Sequence, residues 1–266
     1  MHGTLFFRYM RALGWMLFRP AVTLAGLLLA WQALVSLTGI ESFLLPGPAD
    51  VYDALIQRGN IILPHAGVTL TEIVVGLLLG VSLGVSTALV MALSGEVRRW
   101  LMPVLVVSQA IPVFALAPIL VLWLGYGLAS KVAMAALIIF FPVTAAFHDG
   151  LRRTDRAWID SARTLGCHGW RLIWRVRVPA ALPGLAAGLR IAAAVAPIGA
   201  VVGEWVGSSA GLGYLMLHAN ARLQIDLMFA ALLVLAAMAI TLYFTIDLAS
   251  RRILHWQPET DHSDLR

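Results

Sequence analysis

The sequence is poor in the residues on which many soluble enzymes depend. Its one cysteine, Cys167, excludes an internal disulfide. Its one lysine, Lys131, is preceded by Ser130, so the chain has no Gly-Lys-Ser/Thr triplet of a phosphate-binding loop. Charged residues make up 12% of the chain, against about 25% in soluble domains. The composition therefore excludes an ordinary soluble domain and a chain that hydrolyses ATP on its own.

Signals of metal, cofactor and proton-relay sites are also lacking. The seven histidines are scattered, and no two stand at metal-ligand spacing on a helix, so we predict no metal and no cofactor. The apolar segments contain no chain of Asp, Glu and His of the kind that a proton-coupled transporter needs. No proline- or serine-rich linker divides the 266 residues, which favours one membrane domain.

Long apolar runs dominate the chain, which is 60% hydrophobic. A membrane-spanning helix needs about 20 apolar residues. The runs predict an all-α membrane protein with six transmembrane helices, near Ala21–Leu37, Glu72–Leu93, Leu101–Leu124, Lys131–Phe147, Leu185–Val206 and Leu227–Leu248. The first run resembles a signal peptide but is too long and lacks a clear cleavage site, so we expect a retained anchor. The connector Glu41–His65 carries one short predicted helix, Ala49–Gln57.

The basic residues predict the orientation of these spans. With both termini in the cytoplasm, 15 of the 19 basic residues are cytoplasmic, which agrees with the preference of Lys and Arg for that side. Arg58, Lys131 and Arg222 then lie outside, and Arg190 lies within the fifth span. The inverted topology would reverse that count.

Small residues and prolines predict how the spans pack. Gly76, Gly80 and Gly84 recur every four residues, and Gly184 and Gly188 do the same in the fifth span. Such stripes let helices approach closely, either within one subunit or at a dimer face. The third predicted span contains three prolines, and an interior proline frees a carbonyl from its helical partner. It predicts either a kinked helix or a cavity beside Gln109–Pro112.

Two charged side chains fall within the predicted fifth span. Arg190 lies about 10 Å beyond Pro183 at helical rise, where it can extend back to the cytoplasmic surface. Glu204 lies about 30 Å beyond Pro183 by the same rise, near the outer surface. It is either an ordinary interface residue or a polar group at the external mouth of a pathway. Gln109, Pro112 and Glu204 are our candidate pathway residues.

The most informative segment is the polar stretch Asp149–Pro183, which carries seven arginines between two apolar runs. Within it Trp158, Ala162 and Leu165 share one face of a predicted amphipathic helix that Gly166 ends. A second short helix is predicted over Trp170–Arg175, although its end also alternates like a strand. By pattern alone the segment is either an interfacial helix pair lying on lipid or a docking element for a partner.

One motif in this segment distinguishes the two. Asp160-Ser-Ala, three residues, Gly166, nine residues, then Val176-x-Val178-Pro179 resembles the EAA motif of bacterial ABC importer permeases. That pattern reads Glu-Ala-Ala, three residues, Gly, nine residues, Ile-x-Leu-Pro, and every spacing agrees. Asp160 and Ser161 replace Glu and Ala, and two valines replace Ile and Leu. The resemblance covers roughly 65–248.

The resemblance implies a type I ABC importer permease fold with a cytoplasmic coupling-helix loop. It implies that this loop contacts a cytoplasmic ATPase dimer through Trp158, Asp160, Ser161, Ala162, Leu165, Gly166 and Pro179. It also implies an extracytoplasmic substrate-binding protein and a second permease subunit, most simply an identical one. We divide the chain into a cytoplasmic N-terminal segment (1–20), a first span with its external connector (21–64), the transporter domain (65–248) and a cytoplasmic tail (249–266).

Within that family the chain resembles the branch of nitrate, sulfonate and taurine permeases. The stretches Ser108–Gly127 and Pro197–Leu217 are similar to its subgroup for hydroxymethylpyrimidine and related thiamin precursors. The resemblance therefore implies uptake of a pyrimidine precursor, with a sulfonate, taurine or nitrate as the alternative. A secondary transporter would need inverted repeats and a coupling-ion site, and a membrane enzyme would need clustered acid, base or metal residues; the sequence shows neither.

Overall fold

The computed structural model describes residues 2–256, and among residues 2–17 and at residue 20 it describes the backbone alone. The last ten residues of the predicted tail lie outside the described residues. All regular elements in residues 2–256 are helical, which confirms the all-α prediction. They are α1 (His2–Thr38), α2 (Pro48–Gln57), α3 (Gly59–Leu93), α4 (Gly95–Ala110), α5 (Val113–Leu124), α6 (Leu128–Arg152), α7 (Arg156–Thr164), α8 (Gly169–Leu172), α9 (Val178–Gly207), α10 (Leu212–Ala221) and α11 (Ile225–Ile253).

Five helical segments within residues 2–256 are long and apolar enough to cross a membrane, and α4 with α5 makes a sixth if that pair counts as one span. The predicted third span, Leu101–Leu124, is broken near its predicted distortion, because α4 and α5 meet at an angle of 102°. Ile111 and Pro112 are extended between them. Pro112 has no N–H to donate, and the residue before a proline avoids helical geometry.

Other predicted boundaries shift for identifiable reasons. The second span begins at Gly59, thirteen residues before the predicted Glu72. Thr71 donates its hydroxyl proton to the Gly67 carbonyl one turn back, so this polar residue fits inside the helix. The predicted connector helix is confirmed as α2. The segment that alternates like a strand is a π-helical turn, Ile173–Arg177, which joins α8 to α9.

The helix α6 is the centre of the bundle and packs along both α3 and α9. A Cβ atom at Gly76 would lie 2.5 Å from the Ala135 side chain, and one at Gly80 would lie 2.9 Å from the Ala136 carbonyl. The second stripe, Gly184 and Gly188, faces α6 as well. The glycine stripes are therefore close contacts within one subunit, and the alternative of a dimer face is not their role.

The bundle has two ends that carry different short elements. One end, the loop end, carries α7 and α8, and there Arg98 and Arg99 of α4 line one cavity with Arg152 of α6. The opposite end, the α10 end, carries α2 and α10. Both helices pack against α11 and the first turns of α3. The fold thus separates a basic end from a less charged one.

Candidate functional site

The loop end presents α7 as a separate, well-capped helix. Asp155 caps its first turn, since its side chain accepts a hydrogen bond from the Ala157 N–H at 2.9 Å. The helix ends where the predicted glycine stands: Gly166 has φ +77°, and the N–H of Cys167 donates to the Ala162 carbonyl at 2.9 Å. This is the left-handed termination that glycine permits. The predicted helix and its end are confirmed.

The base of this loop is fixed to the bundle. The Arg177 guanidinium donates from Nε and Nη2 to the Leu151 carbonyl at 3.2 and 3.0 Å. That carbonyl lies in the last turn of α6, where backbone acceptors lack helical partners. Leu172 and Ile173 are buried beside it. The loop is therefore anchored at its return into α9, while α7 stands clear of the bundle.

The apolar residues of α7 are not buried within the described part of this subunit. The helix has no buried residue, and Trp158 and Leu165 are 60% and 87% exposed. Large exposed apolar side chains grouped together mark an interaction surface. Asp160 forms only a surface ion pair with Arg163, at 3.6 Å, so its carboxylate also remains accessible.

A groove of about 770 Å³ runs between α7 and the start of α9, and we name it the α7 groove. Five of the seven residues predicted for partner contact line it, whereas Asp160 and Gly166 do not. Arg175, Trp256 and further residues of the α9 segment also line the groove, and the sequence analysis missed them. The lining residues are Trp158, Ser161, Ala162, Leu165, Arg175, Val176, Pro179, Ala180, Pro183 and Trp256.

The predicted pathway residues lie in two different environments. Gln109 and Pro112 are exposed at the break between α4 and α5. Glu204, expected near the surface, is only 1% exposed. Its carboxylate accepts hydrogen bonds from Thr69 of α3 and from backbone N–H groups of α10. The sequence analysis did not anticipate that the Glu204 side chain is enclosed by protein.

Arg190 also has a partner that the sequence analysis missed. Its Nε donates to Asp247 Oδ1 at 2.6 Å, and the other Asp247 oxygen accepts from Arg251 at 2.9 Å. The sequence analysis expected Arg190 to extend toward the surface and did not anticipate this ion pair. The two residues stand on separate helices, α9 and α11, so no local spacing in the sequence indicates the pair.

Comparison with known families decides the class of protein. Residues 76–255 match the family described as "Binding-protein-dependent transport system inner membrane component". The chain belongs to this family. It is therefore a permease subunit of an ATP-driven importer in the inner membrane, and ATP hydrolysis takes place on a separate subunit.

Individual relatives agree with this assignment. A probable ABC transporter permease of Haemophilus influenzae is 53% identical to this chain, and the match covers 90% of this chain and 97% of the relative. A formylaminopyrimidine transport permease of Halalkalibacterium halodurans is 36% identical, and the match covers 90% of this chain and 95% of the relative. Relatives named for riboflavin, taurine and aliphatic sulfonate transport match at 37%, 30% and 31% identity. The permease therefore belongs with the nitrate, sulfonate and taurine branch.

A solved structure supports the fold. The chain of an amino acid ABC transporter crystallised with histidines superposes with a TM-score of 0.62 at 17% identity, covering 74% of the permease and 96% of that chain. At this identity the likeness concerns the fold alone, which is the predicted type I arrangement. A permease of this family works with an ATPase and a substrate-binding protein.

Proposed function

We propose that α7 is the coupling helix through which the permease receives the ATPase. The observation that carries this proposal is the α7 groove, which is lined mainly by apolar residues and includes the exposed Trp158 and Leu165. Asp160 and Gly166 contribute differently: the carboxylate is accessible at the contact surface, and the glycine sets the turn. An interfacial helix on lipid would need the same apolar face to point sideways, away from an anchored loop base.

The assembly we propose contains two copies of this permease, an ATPase dimer and an extracytoplasmic binding protein. The loop end faces the cytoplasm, together with both termini, and the transporter domain extends over 65–248. Closure of the ATPase pair on ATP would draw the two α7 helices together and tip the bundles, a rigid-body switch of a known kind. The grouping of Arg98, Arg99 and Arg152 at the loop end supports this orientation.

Cysteine labelling tests the orientation. After Cys167→Ser removes the native thiol, single cysteines at Glu96 and Asp155 should be protected from an impermeant thiol reagent in intact spheroplasts. Single cysteines at Asp50, Ser208 and Gln224 should react. The first two positions become labelled when the membrane is opened, which shows that they are accessible. Labelling of Asp155 in intact cells would reverse the orientation of the whole bundle.

For the substrate we propose a pyrimidine precursor of thiamin. The formylaminopyrimidine relative, similar along nearly its whole length, supports this choice. The taurine and sulfonate relatives support the alternative, and the riboflavin relative is comparably similar. A pyrimidine presents flat faces and a few hydrogen-bonding edges, which suits an apolar pathway with one or two amides. Gln109, exposed beside the Pro112 break, is the amide we propose for this pathway.

Uptake by the reconstituted transporter tests the substrate. Proteoliposomes containing the permease, its ATPase and its binding protein should accumulate formylaminopyrimidine only with ATP, and an excess of taurine or riboflavin should not compete. We expect Gln109→Leu to lower uptake about tenfold, the order expected for one hydrogen bond left unmade, while basal ATPase activity stays unchanged. Competition by taurine instead would replace the pyrimidine by the alternative substrate. Normal uptake by an assembled Gln109→Leu variant would remove Gln109 from the pathway.

A further inference from the structure

The α10 end contains a buried polar cluster that holds the first turn of α10. Thr69 Oγ1 accepts from the Leu212 N–H at 2.8 Å and donates to Glu204 Oε1 at 2.6 Å. The other Glu204 oxygen accepts from the N–H groups of Gly213 and Tyr214. The N–H groups of a first helical turn have no partner within their own helix. Here side chains of α3 and α9 supply those partners.

The backbone of this turn is shaped to admit the carboxylate. Gly211 has φ +112°, and a Cβ atom there would lie 2.2 Å from the Glu204 side-chain carbon. A Cβ atom at Gly213 would lie 2.8 Å from Glu204 Oε2. The sequence Gly211-Leu212-Gly213 is thus explained by the approach of one carboxylate. A larger residue at position 211 or 213 would displace the Glu204 carboxylate from this turn.

Glu72 lies beside Glu204 in the same cluster. Its carboxyl interacts with the Glu204 carboxyl, and its Oε2 has no hydrogen-bond partner among the described residues. Ionised carboxylates only accept hydrogen bonds, so a bond between two carboxyls requires one proton between them. Glu204 already accepts from three donors, which leaves the donor role in such a bond to Glu72.

Lys131 of α6 lies beside α9 next to the cluster, since a Cβ atom at Gly203 would lie 3.1 Å from its Cα atom. Its Nζ donates to the Tyr126 and Gly127 carbonyls at 3.1 and 3.2 Å, in the turn between α5 and α6. On its far side α10 forms a wall of an apolar cavity of about 840 Å³, through Met216, Leu217 and Asn220. Pro197 and Trp205 of α9 and Leu232 of α11 line the same cavity.

We propose that Thr69, Glu72 and Glu204 are positioning residues that together form a latch holding α10, and with it one wall of the cavity between α9, α10 and α11. The latch depends on the ionised Glu204 as acceptor and on Glu72 as donor. This proposal depends on the proposed function only where the latch affects substrate uptake. Its effect on the α10 backbone is independent of substrate and of ATPase docking.

The two glutamates give a matched pair of variants with opposite expectations. Glu204→Gln replaces the charged acceptor of the Gly213 and Tyr214 N–H groups by a neutral amide, and its NH₂ group meets Thr69, whose hydroxyl must then turn toward the His65 carbonyl. Glu72→Gln keeps a donor toward Glu204 and leaves its carbonyl in the place of the unpartnered oxygen. We therefore expect Glu204→Gln to release α10 and Glu72→Gln to preserve it.

Hydrogen exchange of the assembled transporter measures this directly. The amides of residues 212–214 should exchange about tenfold faster in Glu204→Gln, the factor expected when a charged hydrogen-bond acceptor becomes a neutral one. In Glu72→Gln they should exchange as in the wild type. An infrared difference spectrum between wild type and Glu72→Gln should show the loss of a protonated carboxyl band. ATPase co-purification should be unchanged in both variants, because α7 lies at the other end.

Each outcome decides the proposal. Unchanged exchange in Glu204→Gln would show that the carboxylate does not hold α10. Equal damage from Glu72→Gln, or no carboxyl band lost, would show that Glu72 is not the donor. If Glu204→Gln fails to assemble, Thr69→Val, which removes the acceptor of the Leu212 N–H, replaces it and should speed exchange in the same segment. Slow uptake with normal exchange would point to the pathway instead of the latch.

Discussion

Leu165→Asp is expected to separate the permease from its ATPase while leaving the permease folded. Leu165 is 87% exposed, so its replacement removes no internal contact of the subunit. If the side chain is buried on docking, about 1.5–3 kcal/mol of apolar burial is lost, and burying a carboxylate adds a further cost. We expect affinity for the ATPase to fall about 100-fold. Co-purification and stimulation of the ATPase by the loaded binding protein are the measurements.

The matched control for this variant is Leu223→Asp. Leu223 is also an exposed leucine in a turn, 68% accessible, but it lies at the α10 end. Its φ of +57° is a conformation that Asp tolerates. ATPase co-purification should stay at the wild-type level in this control. Equal co-purification of the ATPase with Leu165→Asp and with the control would remove the coupling role from α7.

Asp247→Asn is expected to destabilise the permease more than Arg190→Met does. Asp247 joins two helices by accepting from Arg190 and also from Arg251, so its neutralisation weakens both bonds at once. Arg190→Met removes only one of them and leaves the carboxylate bound to Arg251. An arginine without its carboxylate inside a membrane-spanning helix is unfavourable. We expect several-fold less monodisperse protein after extraction for Asp247→Asn, with a lower melting temperature.

A control on the same helix makes this comparison specific. Asp226 at the other end of α11 pairs with Arg58 at 3.3 Å, with both side chains about one-third exposed. Asp247 is 16% exposed and accepts from two arginines, whereas the more exposed pair of Asp226 contributes little, so Asp226→Asn should leave yield and melting temperature nearly unchanged. If Arg190→Met proves as damaging as Asp247→Asn, the bond to Arg251 contributes nothing and the carboxylate serves Arg190 alone.

The functional segment was largely predictable because its signals are local. The helix α7, its capping Asp155 and its terminating Gly166 each follow from residues within one or two turns. The glycine stripe of α3 was predictable for the same reason, because glycines that recur every four residues lie on one face of a helix and permit close packing there. The family motif added the expectation that this helix contacts an ATPase. Arg175 and Trp256 were missed because only tertiary packing brings them to the α7 groove.

Long-range polar pairing was beyond the reach of the sequence. Glu72 and Glu204 stand 132 positions apart, and Arg190 and Asp247 stand 57 apart, so no helical period relates them. Isolated in the sequence, such residues resemble surface charges or snorkelling side chains. The break at Pro112 was seen only in part: prolines indicate a distortion, but its size of 102° depends on how α4 and α5 pack.

One cross-linking measurement tests the central claim that α7 is the docking site of the ATPase. In a permease with Cys167→Ser, a single cysteine replaces Leu165 or, as control, Leu223, and carries a photoactivated cross-linker in the assembled transporter. We predict that position 165 cross-links to the ATPase subunit, with a yield that changes when ATP binds, and that position 223 does not. A cross-link from position 165 to lipid alone, with the ATPase present in the complex, would contradict the claim.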